Sequence, residues 1–241
     1  MQINILAIGN SFSEDATRYL HDIARADGEN LQVVNLYIGG CSLERHYRNM
    51  LSDEKKYELQ YNGQRTGFFV SLRDALLNRN WDVITMQQVS SLSFKKESYL
   101  PYITALADFV RQYAPQAKLY LHQTWAYEEG SQKLLEVAKY DSADKMLSDI
   151  VKVNSEIAVL IEAEKIIPSG ELFGILAQKG MKGIHRDTFH ASLGLGRYAL
   201  GLLWYRTITK KQIFENRFCD FDEPISAEKI QMIKEAVDSL D

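Results

Sequence analysis

Apolar positions along the chain follow two alternating patterns. Short apolar-rich runs occur at Ile3 to Gly9, Leu31 to Ile38, Trp81 to Gln88, Lys118 to His122 and Lys165 to Ile167. Runs of this length, bounded by glycine and polar residues, predict strands of a sheet covered on both faces. Between them the period lengthens. Glu14 to Ala26 places Ala16, Tyr19, Leu20, Ile23 and Ala24 on one helical face, with Ser13 as the expected cap. Further helices are predicted at Ser42 to Met50, Ser71 to Arg79, Ser98 to Tyr113, Gln132 to Tyr140, Ala143 to Glu164, Pro168 to Lys179, Ala191 to Thr207 and Ala227 to Leu240. Ser226 caps the last of these, and Ile230, Ile233, Val237 and Leu240 form its inward stripe.

The segment from Lys56 to Val70 breaks the pattern. Two alternating runs flank Asn62-Gly63, the pair that suits a turn needing positive φ at both central positions. It predicts a β-hairpin inserted at about residues 56–70. Strands alternating with helices predict an α/β class, a three-layer α/β/α sandwich around a mostly parallel five-stranded sheet with right-handed crossovers. Neither an internal repeat nor a linker interrupts the chain, so residues 1–241 are expected to form a single domain.

Composition narrows the functional classes. The 241 residues are 46% hydrophobic and 25% charged, which excludes disorder and low complexity. With 28 Lys+Arg against 32 Asp+Glu the formal charge is -4, the wrong sign for a nucleic-acid partner. No run approaches ~20 apolar residues, so no membrane helix is expected. Met1 leads straight into the first strand without a basic leader or cleavage site, the pattern of a cytoplasmic chain; removal of a leader would make it periplasmic or secreted. Cys41 and Cys219 are too few for a disulfide framework or a four-cysteine zinc site. With no HExxH and no GxGxxG, neither a metal nor another cofactor is expected. Nothing in the chain specifies its oligomeric state.

In open parallel sheets the reactive crevice lies beyond the C-terminal strand ends. Four of those ends carry small or polar residues: Gly9-Asn10-Ser11, Gly39-Gly40-Cys41-Ser42, Gln87-Gln88-Val89-Ser90 and His122-Gln123-Thr124. Ser11 stands where a strand turns into a helix, a place for an exposed nucleophile or simply for a helix cap. Asp187 and His190, three apart, meet if they share a helical turn. A carboxylate there orients an imidazole toward Ser11, or the two are an ordinary solvated acid and a packed histidine. Cys41 on the Gly39-Gly40 turn offers a thiol as another candidate.

Gly9-Asn10-Ser11-Phe12-Ser13 resembles the first block of SGNH (GDSL-type) hydrolases, which puts their nucleophile on Ser11, with Asn10 in place of the usual Asp. Asn35 to Gly40 resembles the second block, whose oxyanion glycine falls on Gly40. Asp187-Thr188-Phe189-His190 resembles the last, whose acid and base fall on Asp187 and His190. Met86-Gln87-Gln88, together with Asp187 to Ser192, Gly194 and Tyr198, resembles more closely the DUF4886 branch. The resemblance spans nearly the whole chain and implies a flavodoxin-like SGNH hydrolase fold. The third SGNH block, with its oxyanion asparagine, is missing. Gln88 at the end of the Trp81 to Gln88 strand is the expected replacement donor, with Gln87 as the alternate.

His122, Trp125, Tyr127 and His185 are the expected substrate-binding residues, because aromatic and imidazole groups at the rim suit a sugar or a small acyl group. The resulting expectation is a serine esterase acting on a small acyl ester, acetyl foremost, of a carbohydrate or polyol. The alternative is a weak or inactive carbohydrate-binding protein on the same fold. Both glutamine amides turned away from Ser11 would favour that alternative.

Overall fold

In the computed structural model, which describes residues 2–240, one sheet divides two apolar cores. Strand β1 spans Gln2–Gly9. Its Ile5 and Ala7 enter one core, and Leu6 and Ile8 enter the other, as the two-residue period of a strand requires. Strands β2 (Asn30–Tyr37), β5 (Val83–Met86), β6 (Lys118–His122) and β7 (Lys165–Ile167) form with β1 a run of parallel pairs.

The sheet is nevertheless mixed and has seven strands rather than five. Strands β3 (Tyr57–Tyr61) and β4 (Gln64–Val70) are the two arms of the predicted hairpin, and they join the sheet antiparallel in the order β4-β3-β2-β1-β5-β6-β7. The physical reason lies at the turn. Asn62 and Gly63 take φ of 49° and 77°. The Asn62 N–H donates to the Val33 carbonyl at 2.8 Å, and its Oδ1 accepts from the Val33 N–H at 2.9 Å. The turn thus fastens the hairpin to the edge of β2, which would otherwise present unpaired backbone groups.

Helices α1 (Ser11–Thr17) and α2 (Leu20–Ala26) replace the single helix expected over 14–26, and the cap is Asn10, not Ser13. With α7 (Ser169–Gln178), α8 (Leu195–Thr209) and α9 (Ala227–Asp238) they cover the Ile5 face. Helices α3 (Leu43–Ser52), α4 (Leu72–Leu77), α5 (Tyr102–Tyr113) and α6 (Ala143–Leu160) serve the Leu6 face. Of the helix expected over 132–140, residues Lys133–Ala138 form a π-helical turn. Among the described residues no helix is long and apolar enough to cross a membrane.

The strand order reverses at β1, which is followed by β2 on one side and β5 on the other. Such a switch point opens a crevice beyond the carboxyl end of the strand, and Ser11 lies there.

Candidate active site

The Asn10 side chain accepts from the Phe12 N–H at 3.0 Å, starting α1 so that Ser11 is its first residue. The Ser11 Oγ lies 2.8 Å from His190 Nε2, across 179 residues of chain. His190 Nδ1 is 2.7 Å from Asp187 Oδ2, and the His190 backbone N–H donates to Asp187 Oδ1 at 2.9 Å. Burial raises the Asp187 carboxyl, but the His190 side-chain and backbone hydrogen bonds outweigh it and hold the group below its ordinary value. An ionised Asp187 can only accept, so the neutral imidazole carries its proton on Nδ1 and leaves Nε2 to accept from the Ser11 hydroxyl.

Asp187 and His190 meet in a loop, not in the helical turn expected of their spacing. Thr188 between them has a φ of 72°, a left-handed conformation unfavourable for a β-branched residue. Its carbonyl accepts from the Glu128 N–H at 2.8 Å, and the Phe189 carbonyl accepts from Trp125 Nε1 at 2.8 Å. These two bonds fix the loop from the β6 side. The Phe189 ring lies 3.8 Å from the His190 ring between centroids.

Gly40 has a φ of 60° and is exposed. A Cβ there would meet nothing within 4 Å, so backbone conformation rather than space calls for glycine. Neither the Ser11 nor the Gly40 N–H has a hydrogen-bond partner among the described residues. Both are available to an incoming acceptor.

The glutamines differ from expectation. Gln88 is buried; its Nε2 donates to the Ser98 carbonyl at 2.9 Å and its Oε1 accepts from the Leu43 N–H at 3.0 Å. It staples the start of α3 to the loop before α5 and has no group left for Ser11. Gln87, the alternate, is the centre of a chain instead. His122 Nδ1 lies 2.7 Å from Gln87 Oε1, Gln87 Nε2 donates to Asn10 Oδ1 at 2.9 Å, and Asn10 Nδ2 donates to the Cys41 carbonyl at 3.0 Å. This relay ties together the ends of β6, β5, β1 and β2. It also accounts for Asn10, because an ionised aspartate has no hydrogen to give Cys41.

Two expected substrate contacts are also corrected. His122 is 1% exposed and burial pushes its pKa down to about 3. A neutral ring donating from Nδ1 must accept at Nε2, and the Ser169 hydroxyl supplies that hydrogen at 3.0 Å. Trp125 is fully buried, stacked 4.0 Å from Phe12, and supports the crevice from beneath. Tyr127 and His185 line a cavity of about 610 Å³ with Phe173, Leu147 and Ile184, but none of Ser11, Asp187 or His190 borders it. The Tyr127 hydroxyl is 3.1 Å from Ser90 Oγ. His185 Nε2 donates to the Ala126 carbonyl at 3.2 Å, and burial lowers its pKa to about 4. Cys41 is buried and its thiol is pushed up to about 12, which leaves it protonated at neutral pH.

Nothing in local spacing pointed to Asp15, whose partners Arg186 and Arg197 lie 171 and 182 residues away. The one available signal was an acidic residue one turn after Ser11, beside the apolar Ala16 and Tyr19.

The sequence profile of the family described as "Domain of unknown function (DUF4886)" matches residues 4–239. A crystal structure of a DUF4886 family protein from Bacteroides uniformis is 32% identical, with a TM-score of 0.92 over 99% of this chain and 94% of that one. A protein described provisionally as an SGNH hydrolase, from Slackia heliotrinireducens, has 21% identity and a TM-score of 0.62, covering 86% of this chain and all of its own. An acetylxylan esterase from Geobacillus stearothermophilus has 15% identity and a TM-score of 0.52, covering 86% and 93%. At those identities the likeness is one of fold. No curated protein matches the sequence.

Proposed function

We propose that this chain, which belongs to the DUF4886 family, is a serine ester hydrolase. The observation that carries the reading is the 2.8 Å separation of Ser11 Oγ and His190 Nε2, with Asp187 behind the imidazole. Ser11 Oγ attacks the ester carbonyl while His190 Nε2 takes its proton, and Asp187 stabilises the imidazolium. The Ser11 and Gly40 N–H groups donate to the developing oxyanion. When the tetrahedral adduct collapses, the alcohol leaves with the proton from His190. Water then attacks the acyl-Ser11 carbonyl as His190 takes its proton, and the second tetrahedral adduct collapses with that proton passing from His190 to Ser11 Oγ, which releases the acid and restores the hydroxyl.

The crevice lip is polar. Glu14, one turn from Ser11, accepts from Arg65 Nε at 3.0 Å, and the Arg65 guanidinium lies 4.7 Å from the centre of the Tyr37 ring. Such a lip suits a small acyl group, acetyl foremost, on a carbohydrate or related polyol. The acetylxylan esterase of similar fold adds an analogy of substrate class. The chain is assigned no metal and no cofactor, because this mechanism uses only the residues named.

A second reading, a carbohydrate-binding protein with little or no turnover, is favoured by the commitment of both glutamine amides elsewhere. A missing oxyanion donor costs about 3–4 kcal/mol in transition-state stabilisation. Hydrolysis of p-nitrophenyl acetate and of a panel of acetylated sugars by the wild type and by Ser11→Ala separates the two. Turnover lost in Ser11→Ala supports the esterase; equal rates, or none in either protein, support the binder.

A further inference from the structure

Asp15 lies four residues after Ser11 on α1 and is fully buried. Its Oδ1 accepts from Arg186 Nη1 and from Arg197 Nε, both at 2.9 Å. Its Oδ2 accepts from Arg186 Nη1 at 2.9 Å and from the Ala191 backbone N–H at 3.2 Å. Arg186 and Ala191 are the residues immediately before Asp187 and after His190. The same loop is closed on itself, because the Arg186 N–H donates to the His190 carbonyl at 3.0 Å and the Arg186 guanidinium donates to the Ala191 carbonyl. Arg197 continues to Asp222 at 3.0 Å, and Asp222 is gripped by Arg18 from the α1–α2 junction at 2.6 Å.

Both feet of the His190 loop are therefore bolted to the helix that begins with Ser11. A carboxylate suits this task because its two oxygens can receive three separate donors at fixed directions. An apolar filler would hold the core at a lower desolvation cost, so what the ions add is a set geometry. We propose that Asp15 is a positioning residue that sets the reach of His190 to Ser11 by holding Arg186 and Ala191. For catalysis this rests on the esterase reading.

The test is a double-mutant cycle with Asp15→Asn, which keeps the shape and removes the charge, in the wild-type and His190→Ala backgrounds. In the wild-type background kcat should fall roughly 10- to 100-fold, as a displaced catalytic group does, with KM within about twofold. In the His190→Ala background the same change should cost nothing further. An unchanged kcat, or a loss equally large without His190, overturns the proposal. If Asp15→Asn does not fold, Arg186→Leu, on the more exposed partner, goes through the same cycle. Imidazole nitrogen NMR of the full chain provides a readout independent of turnover: Asp15→Asn should displace the His190 signals. If the wild type neither hydrolyses esters nor reacts at Ser11 with a fluorophosphonate, the esterase reading fails and the NMR result alone judges the clamp. Unmoved His190 signals reject it, and displaced signals uphold it.

Discussion

The polar chain behind Ser11 is neutral along its length, whereas the cluster that anchors the His190 loop is ionic. The first runs from His122 through Gln87 and Asn10 to the Cys41 carbonyl. The second joins Arg186, Asp15, Arg197, Asp222 and Arg18. The first is buried throughout and passes through Asn10, next to Ser11; in the second only Asp15 is fully buried, and it holds the residues that flank Asp187 and His190. They differ in how much the loss of a member costs. An amide chain that loses a link leaves one or two unpaired dipoles, while an ion cluster that loses its carboxylate leaves facing guanidiniums with a buried vacancy of charge. On the proposed mechanism the neutral chain holds the turn that presents the Ser11 N–H, and the charged one holds the loop that carries His190.

Perturbations of the two systems should therefore rank. The largest effect falls on the reacting chain they share: Asp187→Asn should lower kcat by roughly 10⁴-fold, through loss of the tautomer that leaves Nε2 free, with little change in melting temperature. Next, Asp15→Ala should destabilise the fold by about 3–5 kcal/mol in urea unfolding, because two arginines lose a buried counter-charge. A result under ~1 kcal/mol would mean that water replaces the carboxylate and that the ionic cluster is not distinct from the neutral one.

The third effect is one of pH. Burial lowers His122 and also His46 to about 3, so the unfolded chain binds protons there that the folded chain refuses. Their stabilisation is complete above about pH 6.5 and is lost as pH falls toward 3, at about 1.4 kcal/mol per unit for each ring. At pH 5 this comes to about 2 kcal/mol each, and unfolding curves of His46→Gln should show one imidazole's share removed from the slope. The smallest effect is expected at Gln87→Leu. It leaves the His122 N–H unpaired for about 1–2 kcal/mol, and it should lower kcat by less than ~100-fold because Gln87 acts through Asn10 and Cys41. A fall of 10²–10³ with unchanged stability would instead make Gln87 a direct oxyanion donor.

Much of this architecture was legible in the chain because it follows from periodicity. Ile5 and Ala7 against Leu6 and Ile8 declare a strand buried on both faces, and Asn62-Gly63 declares a turn. That the hairpin extends the sheet was not legible, since pairing with β2 depends on the Val33 contact across 29 residues. Ser11, Asp187 and His190 were legible as residues of suitable chemistry in spaced blocks, and their distances agree with that arrangement. The glutamines, His122 and Trp125 were misplaced for one reason: a polar or aromatic residue at a strand end looks the same in sequence whether it faces the crevice or the layer beneath it. Their burial and full hydrogen bonding place them in that lower layer.

The proposed hydrolysis requires that Ser11 carry the acyl group. Rapid quenching of the wild type with p-nitrophenyl acetate, followed by peptide mass mapping, should find acetyl on the Ser11 peptide, accumulating in His190→Ala only at a greatly reduced rate and absent in Ser11→Ala. Hydrolysis that proceeds undiminished in Ser11→Ala, with no acyl group on that peptide in the wild type, would contradict it.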